Sequence, residues 1–396
     1  MEAVAARATY LAANSKPQEL SALAWSFAAL SYPCPPLFKA IASVAGDVAG
    51  GASPQSLANL AWAYSTLHPP RGEREDPPPL LAAVDAAAQG LVEEGRPQAV
   101  SNAAWAFAAN NTDAPNLLPL LDSSPSWLLR SPSPQSVANV LWAYATLRRD
   151  CPSLAAHAAS DAERLVRGGG TAAALAAASL ATLGADAGGF WDELERSAGE
   201  VAGGASARHA CNLAWALAVA GRGGSPAVKV FWDRAAAGEG GELSWEGRNQ
   251  LLQVRAFAGG GAGELRGDWE PVAQAGGRSA HADRVGRFLT ELGAGHERES
   301  QVVSEDLGPL LAVDFAIPST RTVLELDGPT HFLWGEAGRG RGRETGTTAA
   351  KRRLLESRGW RVVNLPWYES RRLEKEGTEA AEKEWLRVHV LGEATK

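Results

Sequence analysis

Cysteine is scarce in this 396-residue chain, and the three present, Cys34, Cys151 and Cys211, lie far apart and form no CxxC pair. That argues against a disulfide framework and a zinc site, and it leaves structural, reduced thiols. Long apolar runs are missing too. Nowhere do about 18 apolar residues follow one another, so nothing in the sequence reads as a membrane span. The amino terminus, MEAVAARATYLAANSK, lacks the basic-then-apolar order of a secretory signal. It is also too short and too poor in arginine for an organelle transit peptide, unless the chain is a truncated one. Charged residues make up 21% of the chain and hydrophobic ones 45%, the balance of a globular protein. The little charge there is lies unevenly: the net charge is -7, yet residues 335–375 hold eleven Lys or Arg against five Asp or Glu, leaving -13 for the remainder. A basic segment on an acidic body points to a local anionic partner. The length exceeds one ordinary core and predicts several domains, or a repeat array with a domain attached.

What the chain has in abundance is repetition. Trp25, Trp62, Trp105, Trp142 and Trp215 recur in one short phrase, as in PQSLANLAWAYSTL and PQSVANVLWAYATL, at intervals of 37, 43, 37 and 73 residues. The last interval is close to two periods, and Ala178 takes the tryptophan's place in the degenerate unit between. A fixed period of this size is the signature of a helical solenoid. The well-kept units open with Pro17-Gln18, Pro54-Gln55, Pro97-Gln98 and Pro134-Gln135, and Ser53 and Ser133 precede two of the prolines. A serine at N-cap and a proline at N1 mark helix starts. Apolar residues then recur at helical spacing, and Pro- or Gly-punctuated apolar stretches such as PPLFKAIASVAGDVAGG predict a second helix per unit. NQLLQVRAF at 249–257 has the register of a worn seventh unit, and AGGGAGELRGDWEPVAQAGGRS reads as a linker.

Two interpretations compete for the tryptophans. Aromatic faces stack on unpaired bases, but a tryptophan repeated among leucines reads rather as packing between units. Asn59, Asn102, Asn139 and Asn212 sit three residues before a tryptophan, which predicts a ladder of amides bonding neighbouring turns. The better contact candidates are polar residues of the first helical turns: Gln18, Glu19, Gln55, Ser56, Gln98, Gln135, Ser136 and Arg208. One such set per repeat is the geometry by which helical repeats read one base each.

After the linker the pattern changes class. HADRVGRFLTELGA reads as an amphipathic helix, LLAVDFAIP and TVLELDG as strands, TAAKRRLLESRGW as a helix and RVVNLPWYE as a strand, with HERESQVV a possible further strand. The expected organisation is an all-α helical-hairpin solenoid of six to seven units over residues 1–257 and a linker over 258–278. A small α/β domain over 279–370 and a charged helix or tail over 371–396 follow. Trp360 and Trp367 are expected in its core.

The run VDFAIPSTRTVLELDGPTHF, followed by KRRLLESRGWRVVNLPWYE, resembles the RAP domain. The matching residues are Asp314, Ile317-Pro318, Glu325, Asp327-Gly328-Pro329, His331-Phe332, Lys351-Arg352, Leu354-Leu355, Gly359-Trp360, Pro366-Trp367 and Glu369, across roughly residues 305–370. The repeats more loosely resemble the octotricopeptide-like class. The resemblance implies binding of organellar transcripts or ribosomal RNA in a mitochondrion or chloroplast. It also implies a restriction-endonuclease-like fold, related to very-short-patch repair nucleases. In that PD-(D/E)XK pattern Asp314, Glu325 and Asp327 are the candidate metal-binding carboxylates, Asp327 standing where the pattern has lysine. They would hold Mg²⁺ to polarise a phosphoryl oxygen, with Lys351 as a further catalytic candidate and His331 as an acid or base. The alternative is that Glu325 and Asp327 close the strand end and pair with Lys351 or Arg352. Lys351, Arg352 and Arg353, with Arg339, Arg341 and Arg343 before them, suit phosphate contact.

Three functions follow in order of preference. The first is a single-stranded RNA-binding protein acting in processing, stability, splicing or translation, with its RNA contacts at the first-turn residues, His331, Lys351, Arg352 and Arg353, and no cofactor needed for binding. The others are a protein-interaction scaffold and an Mg²⁺-dependent endonuclease.

Overall fold

The computed structural model describes residues 2–68, 77–124, 127–237, 243–258, 279–300, 312–334, 341–375 and 379–392. The linker residues 259–278, Arg339 and the last part of the HERESQVV segment lie outside them. The described chain forms two compact units, Met1–Leu180 with Ala185–Ala205, and Ala181–Gly184 with Ser206–Lys396. No described helix is long and apolar enough to cross a membrane.

The first unit is built from repeats. Long helices span Pro17–Ala29, Pro54–Leu67, Pro97–Ala109 and Pro134–Leu147, each with proline at its first position. Ser53 and Ser133 accept the backbone N–H of Ser56 and Ser136, while at the first start Glu19 takes the Lys16 N–H. Alanine and leucine fill the interior: Leu57, Ala58, Leu60 and Ala61 are fully buried, as are Val137, Ala138, Val140 and Leu141. Small residues let neighbouring helices approach closely enough for the stack to bury what a single unit leaves exposed.

Three of these helices, Pro17–Ala29, Pro97–Ala109 and Pro134–Leu147, and the later helix Gly170–Leu183 end alike. Ser31, Asn111, Arg148 and Gly184 all adopt positive φ, between 48° and 59°. In each case the next residue's N–H bonds to the carbonyl five residues back, as from Tyr32 to Phe27, Thr112 to Phe107, Arg149 to Tyr144 and Ala185 to Leu180. This is a Schellman turn, which satisfies the last carbonyls of these helices; Pro54–Leu67 ends instead at His68 with φ -126°.

In four units the second helix departs from expectation. It is broken in two, as Pro35–Ser43 and Ala45–Gly51, Pro79–Ala86 and Ala88–Glu94, Pro152–Ser160 and Ala162–Arg167, or Gly188–Arg196 and Ala198–Gly204. A single residue makes each break, Val44, Ala87, Asp161 or Ser197, with ψ between 10° and 27°. The residues before the first long helix, Glu2–Ala6 and Ala8–Asn14, form another such pair, broken at Arg7. Acids, Asp85 buried and Asp122 half-buried, join one unit to the next. Asp85 accepts the N–H groups of Asn116 and Leu117 and the Asn116 amide, and Asp122, 37 residues on, accepts the Leu154 N–H at 2.9 Å. Both carboxylates take up helix-start donors that would otherwise lie unsatisfied.

The second unit holds the helices Ala207–Leu217, Pro226–Ala236 and Trp245–Phe257 together with a four-stranded sheet. The strands are β1 (Glu297–Ser300), β2 (Val313–Ile317), β3 (Thr322–Asp327) and β4 (Arg361–Pro366), in that order across the sheet. β1–β2 and β2–β3 are antiparallel, and β3–β4 are parallel, joined through the Gly346–Ser357 helix. One face packs Phe315, Ile317, Leu324 and Leu365 on the helix Ala280–Glu291 and on Leu373, Leu386 and Val390. The charged segment after residue 370 is therefore no loose tail. Its helices Trp367–Lys375 and Glu379–His389 supply apolar residues to the core. The other face packs Val313, Ala316 and Val323 on Leu354 and Leu355, joined by Ala256 and Phe257 of the last repeat helix.

Two close approaches fix this unit. Gly346 opens its helix against the 181–184 turn, where an added Cβ would lie 1.8 Å from the Ala181 carbonyl oxygen. Arg343 donates to the carbonyls of Leu183 and Gly184. Cys34, Cys151 and Cys211 are buried, and burial pushes the Cys211 thiol up to about 11, which disfavours the reactive thiolate.

Candidate functional site

Within the first unit, the residues two, six and nine positions beyond each N-cap or its equivalent fall on one helix face, because steps of four and three complete about two helical turns. Gln55, Asn59 and Trp62 occupy it in one repeat, Gln98, Asn102 and Trp105 in the next, Gln135, Asn139 and Trp142 in the third, and Gln18, Ala22 and Trp25 in the first. Each glutamine is exposed and each of these asparagines half-buried. Gln55 donates to Asn59 Oδ1 at 2.9 Å and Gln135 to Asn139 Oδ1 at 2.8 Å.

The tryptophans lie nearer the surface than packing residues would. Trp25 is 48% exposed, and Trp62, Trp105 and Trp142 are half-buried. Trp105 and Trp142 stack across the repeat interval, their ring centroids 6.2 Å apart and their planes 24° from parallel. They join neighbouring units and at the same time present indole edges and faces on the amide-bearing side. In the second unit Arg208, Asn212 and Trp215 hold the same register, with Trp215 buried and Arg208 exposed. There the bonds cross between helices: Gln250 donates to Asn212 Oδ1 at 2.9 Å and Trp215 Nε1 to Gln253 Oε1 at 2.6 Å. The expected asparagine ladder is therefore mostly internal to single helices, and it crosses repeats at Asn212.

Two first-turn candidates are corrected. Ser56 and Ser136 are buried, and their hydroxyls face Ser53 Oγ and Ser133 Oγ at 3.0 Å. A first-turn hydroxyl that turns back to its N-cap leaves the surface, so these serines serve the helix start. Gln18, Glu19, Gln55, Gln98, Gln135 and Arg208 remain exposed.

The second cluster gathers at the carboxyl ends of the parallel pair β3 and β4, the usual position of sites in open α/β sheets. Glu325 and Asp327, two residues apart on β3, point to the side of the Gly346–Ser357 helix. Asp314 of β2 is turned to the backbone, where its Oδ2 accepts the Leu326 N–H at 2.7 Å. Lys351 Nζ lies 2.7 Å from Glu325 Oε1 as an ion pair and donates to the Ala312 carbonyl at 2.9 Å. Burial pushes the Glu325 carboxyl up to about 7; Lys351 opposes this, and Asp314 and Asp327 add to it. Asp327 is also raised by burial, against the pull of His331, whose Nδ1 lies 3.2 Å away. Asn364, from β4, donates to Asp327 Oδ2, and Thr348 Oγ1 lies 3.3 Å from His331 Nδ1.

These partners decide how well Mg²⁺ would fit. The ion takes near-octahedral oxygen ligands at about 2.0–2.1 Å, and here each carboxylate is engaged by a backbone N–H, an ammonium or an amide. Among the described residues no group of three His, Cys, Asp or Glu is placed to hold a metal ion. As arranged, Asp314, Glu325 and Asp327 brace the strand ends, and no metal-dependent step is derived from them. His331 is half-exposed at the edge of this network.

The basic helix is corrected as well. Arg352 pairs with Glu344 at 3.1 Å and Glu356 at 3.6 Å, and Arg353 donates to the Val219 carbonyl at 2.5 Å. Lys351, Arg352 and Arg353 thus hold the fold together instead of offering three open charges to phosphate. Trp360 does pack on the core behind Leu354 and Leu355, with the Arg321 guanidinium 5.3 Å from its ring. Trp367 lines a surface cavity instead, with Arg341 and Arg371 against its ring. Sequence patterns gave no sign of Asn364 or of Asp85 and Asp122; the 37-residue spacing of the two aspartates was the one available signal.

Comparison with known proteins agrees with this architecture. Residues 324–384 match the RAP domain family, a span that opens inside β3 and ends in the last described helix. A RAP domain-containing protein, chloroplastic, from Oryza sativa subsp. japonica is 28% identical over 184 residues, which cover 42% of this chain and 27% of the relative. The match thus spans about a quarter of that relative's length. With its helical repeats ahead of the small mixed sheet, the chain carries a RAP domain at its carboxy-terminal end.

Proposed function

We propose that this protein binds single-stranded RNA in an organelle, chloroplast or mitochondrion, and acts on an mRNA or rRNA in its processing, stability, splicing or translation. The observation that carries this is the repeated face of exposed glutamine, half-buried asparagine and half-buried tryptophan. Amides donate and accept on base edges, and indole faces accept stacked bases, which is the chemistry of unpaired RNA. A duplex takes up its base faces and Watson–Crick edges, so such a surface favours single strands. The RAP domain and the chloroplastic relative support an organellar site of action.

The face is nearly uncharged, with Arg208 its one cation among the first-turn candidates. Phosphate attraction is therefore weak along the repeats. The expected affinity falls with salt at a shallow slope of about -2 to -3, as for three or four phosphate contacts to a single strand. Titration of a single-stranded RNA pool at two salt concentrations tests this. Binding with a shallow slope is the expected result; no binding at low salt contradicts the proposal.

A further inference from the structure

β4 runs straight into the helix Trp367–Lys375, and the side chains there close a cavity of about 420 Å³ with the segment that begins at Arg341. Its volume falls in the range of about 300–1,000 Å³ typical of ligand pockets. Arg341, Trp367, Tyr368, Arg371 and Lys375 line it. The Arg341 guanidinium lies 5.7 Å from the Trp367 ring centre and 5.9 Å from that of Tyr368, and Arg371 lies 5.0 Å from Trp367. The two arginines thus flank aromatic rings and are held in place before any ligand arrives, which lowers the entropy lost on binding.

The charges of this pocket differ from those of the neighbouring helix. Its one acid, Glu369, is gripped by Arg372 at 2.6 and 3.0 Å, and that bond holds its carboxyl below the ordinary glutamate value. Arg341, Arg371 and Lys375 have no carboxylate partner among the described residues, in contrast to Lys351 and Arg352. The pocket therefore offers three cations without a carboxylate partner among the described residues, set around two aromatic rings. Tyr368 also stands edge-on to Phe332, 5.9 Å between ring centres, which ties the pocket to the β3 end beside His331.

A ligand that uses both features has a planar ring to stack and an anion close to it. Lone phosphate leaves the aromatic walls unused, and a bare base leaves the cations unused. We propose that this pocket binds one nucleotide, its base stacked on one of the two rings, Trp367 and Tyr368, whose planes stand 81° apart, and its phosphate held by Arg371 and Lys375, as the phosphate-bearing terminal nucleotide of an RNA. This rests on the RNA-binding function proposed above. One pocket of this size holds one residue of a strand, so it reads an end and adds nothing to recognition along the chain. A free mononucleotide carries the same chemistry, and the experiment separates the two sources.

The full-length protein is titrated with one single-stranded RNA in 5′-phosphorylated, 3′-phosphorylated and unphosphorylated forms, and separately with nucleoside monophosphates. The comparison is with the double variant Arg371→Ala/Lys375→Ala and, independently, Arg341→Gln, all surface changes. One phosphorylated end is expected to bind about tenfold tighter than the unphosphorylated RNA, as charge-assisted hydrogen bonds to phosphate allow. Both variants are expected to abolish that preference while leaving the unphosphorylated RNA within about twofold. Mononucleotide binding that both variants remove, without an end preference, assigns the pocket to the free nucleotide. RNA binding with no end preference and no mononucleotide binding overturns the pocket and leaves the RNA-binding function standing. Loss of all RNA binding together with retained, variant-sensitive mononucleotide binding does the reverse.

Discussion

The repeats and the carboxy-terminal domain build their surfaces by opposite means. In the repeats one register is written again and again: proline at the helix start, the amides and tryptophan on one face and, at Asn111 and Arg148, a left-handed residue at the end. In the domain, Asp314, Glu325, Asp327, His331, Lys351 and Asn364 come from three strands, a turn and a helix, and each occurs once. A repeated contact is redundant, so the loss of one unit's share weakens the whole by a fraction. A convergent cluster is not, because each member leaves a buried partner unsatisfied when it goes. The charges differ as well: the repeat face is almost neutral, while the domain pairs many of its cations with its own carboxylates, as at Arg284, Lys351 and Arg352.

The largest expected effect lies in the second unit. Gly346→Ala drives a Cβ into the Ala181 carbonyl and is expected to destabilise that unit by about 4 kcal/mol or more, as severe overpacking against a backbone atom does. Amide exchange of the sheet would rise, while that of residues 54–147 stays unchanged. Asp85→Ala comes next in the first unit. It leaves the Asn116 and Leu117 N–H groups without their acceptor, a loss of about 3 kcal/mol, whereas Asp122→Ala, with one such bond, costs about 1 kcal/mol. Denaturant titration of the two variants separates them, and equal losses would break the link drawn between these acids and helix starts.

Titration of Glu325 gives the third. Its carboxyl sits above its ordinary 4.5, at about 7, so the folded domain binds more protons than the unfolded chain between these values. The stability it contributes is present in full below about 4.5 and is lost as pH rises through about 7, on the order of 3 kcal/mol. Glu325→Gln removes that slope in denaturation measured from pH 4 to 8, and an unchanged slope would refute the assignment to this residue. The smallest effect is a gain. Gly50 sits exposed in a helix, and a Cβ there meets nothing within 4 Å, so Gly50→Ala is expected to raise the melting temperature, with about 0.5–1 kcal/mol of added stability. Together, Gly346 and Gly50 test whether glycine in this chain marks close packing or mere composition.

Much of this was legible in the sequence, and the failures share a cause. The tryptophan period, the Pro-Gln starts and the strands of the small sheet follow from local periodicity and turned up where expected. The break inside four of the second helices did not, because Val44, Ala87, Asp161 and Ser197 have no chemistry in common; position in the stack, not residue type, kinks the chain. Ser56 and Ser136 looked like surface residues because polarity stands in for exposure, yet a hydroxyl is small enough to be buried on its own cap. Lys351, Arg352 and Arg353 looked like phosphate ligands because a sequence does not show which cations face buried acids. Trp367, Arg341 and Arg371 are a pocket only once the end of β4 lies beside residue 341, a nonlocal fact.

The most direct measurement is the affinity of single-stranded RNA for the Trp105→Ala, Trp142→Ala and doubly substituted proteins. The two indoles stack on each other and line the amide-bearing face. Each single change is expected to weaken binding about five- to tenfold, and the double change by less than the product of the two, since they share one surface. Wild-type affinity in the folded double variant would contradict an RNA-contacting role for the repeat face.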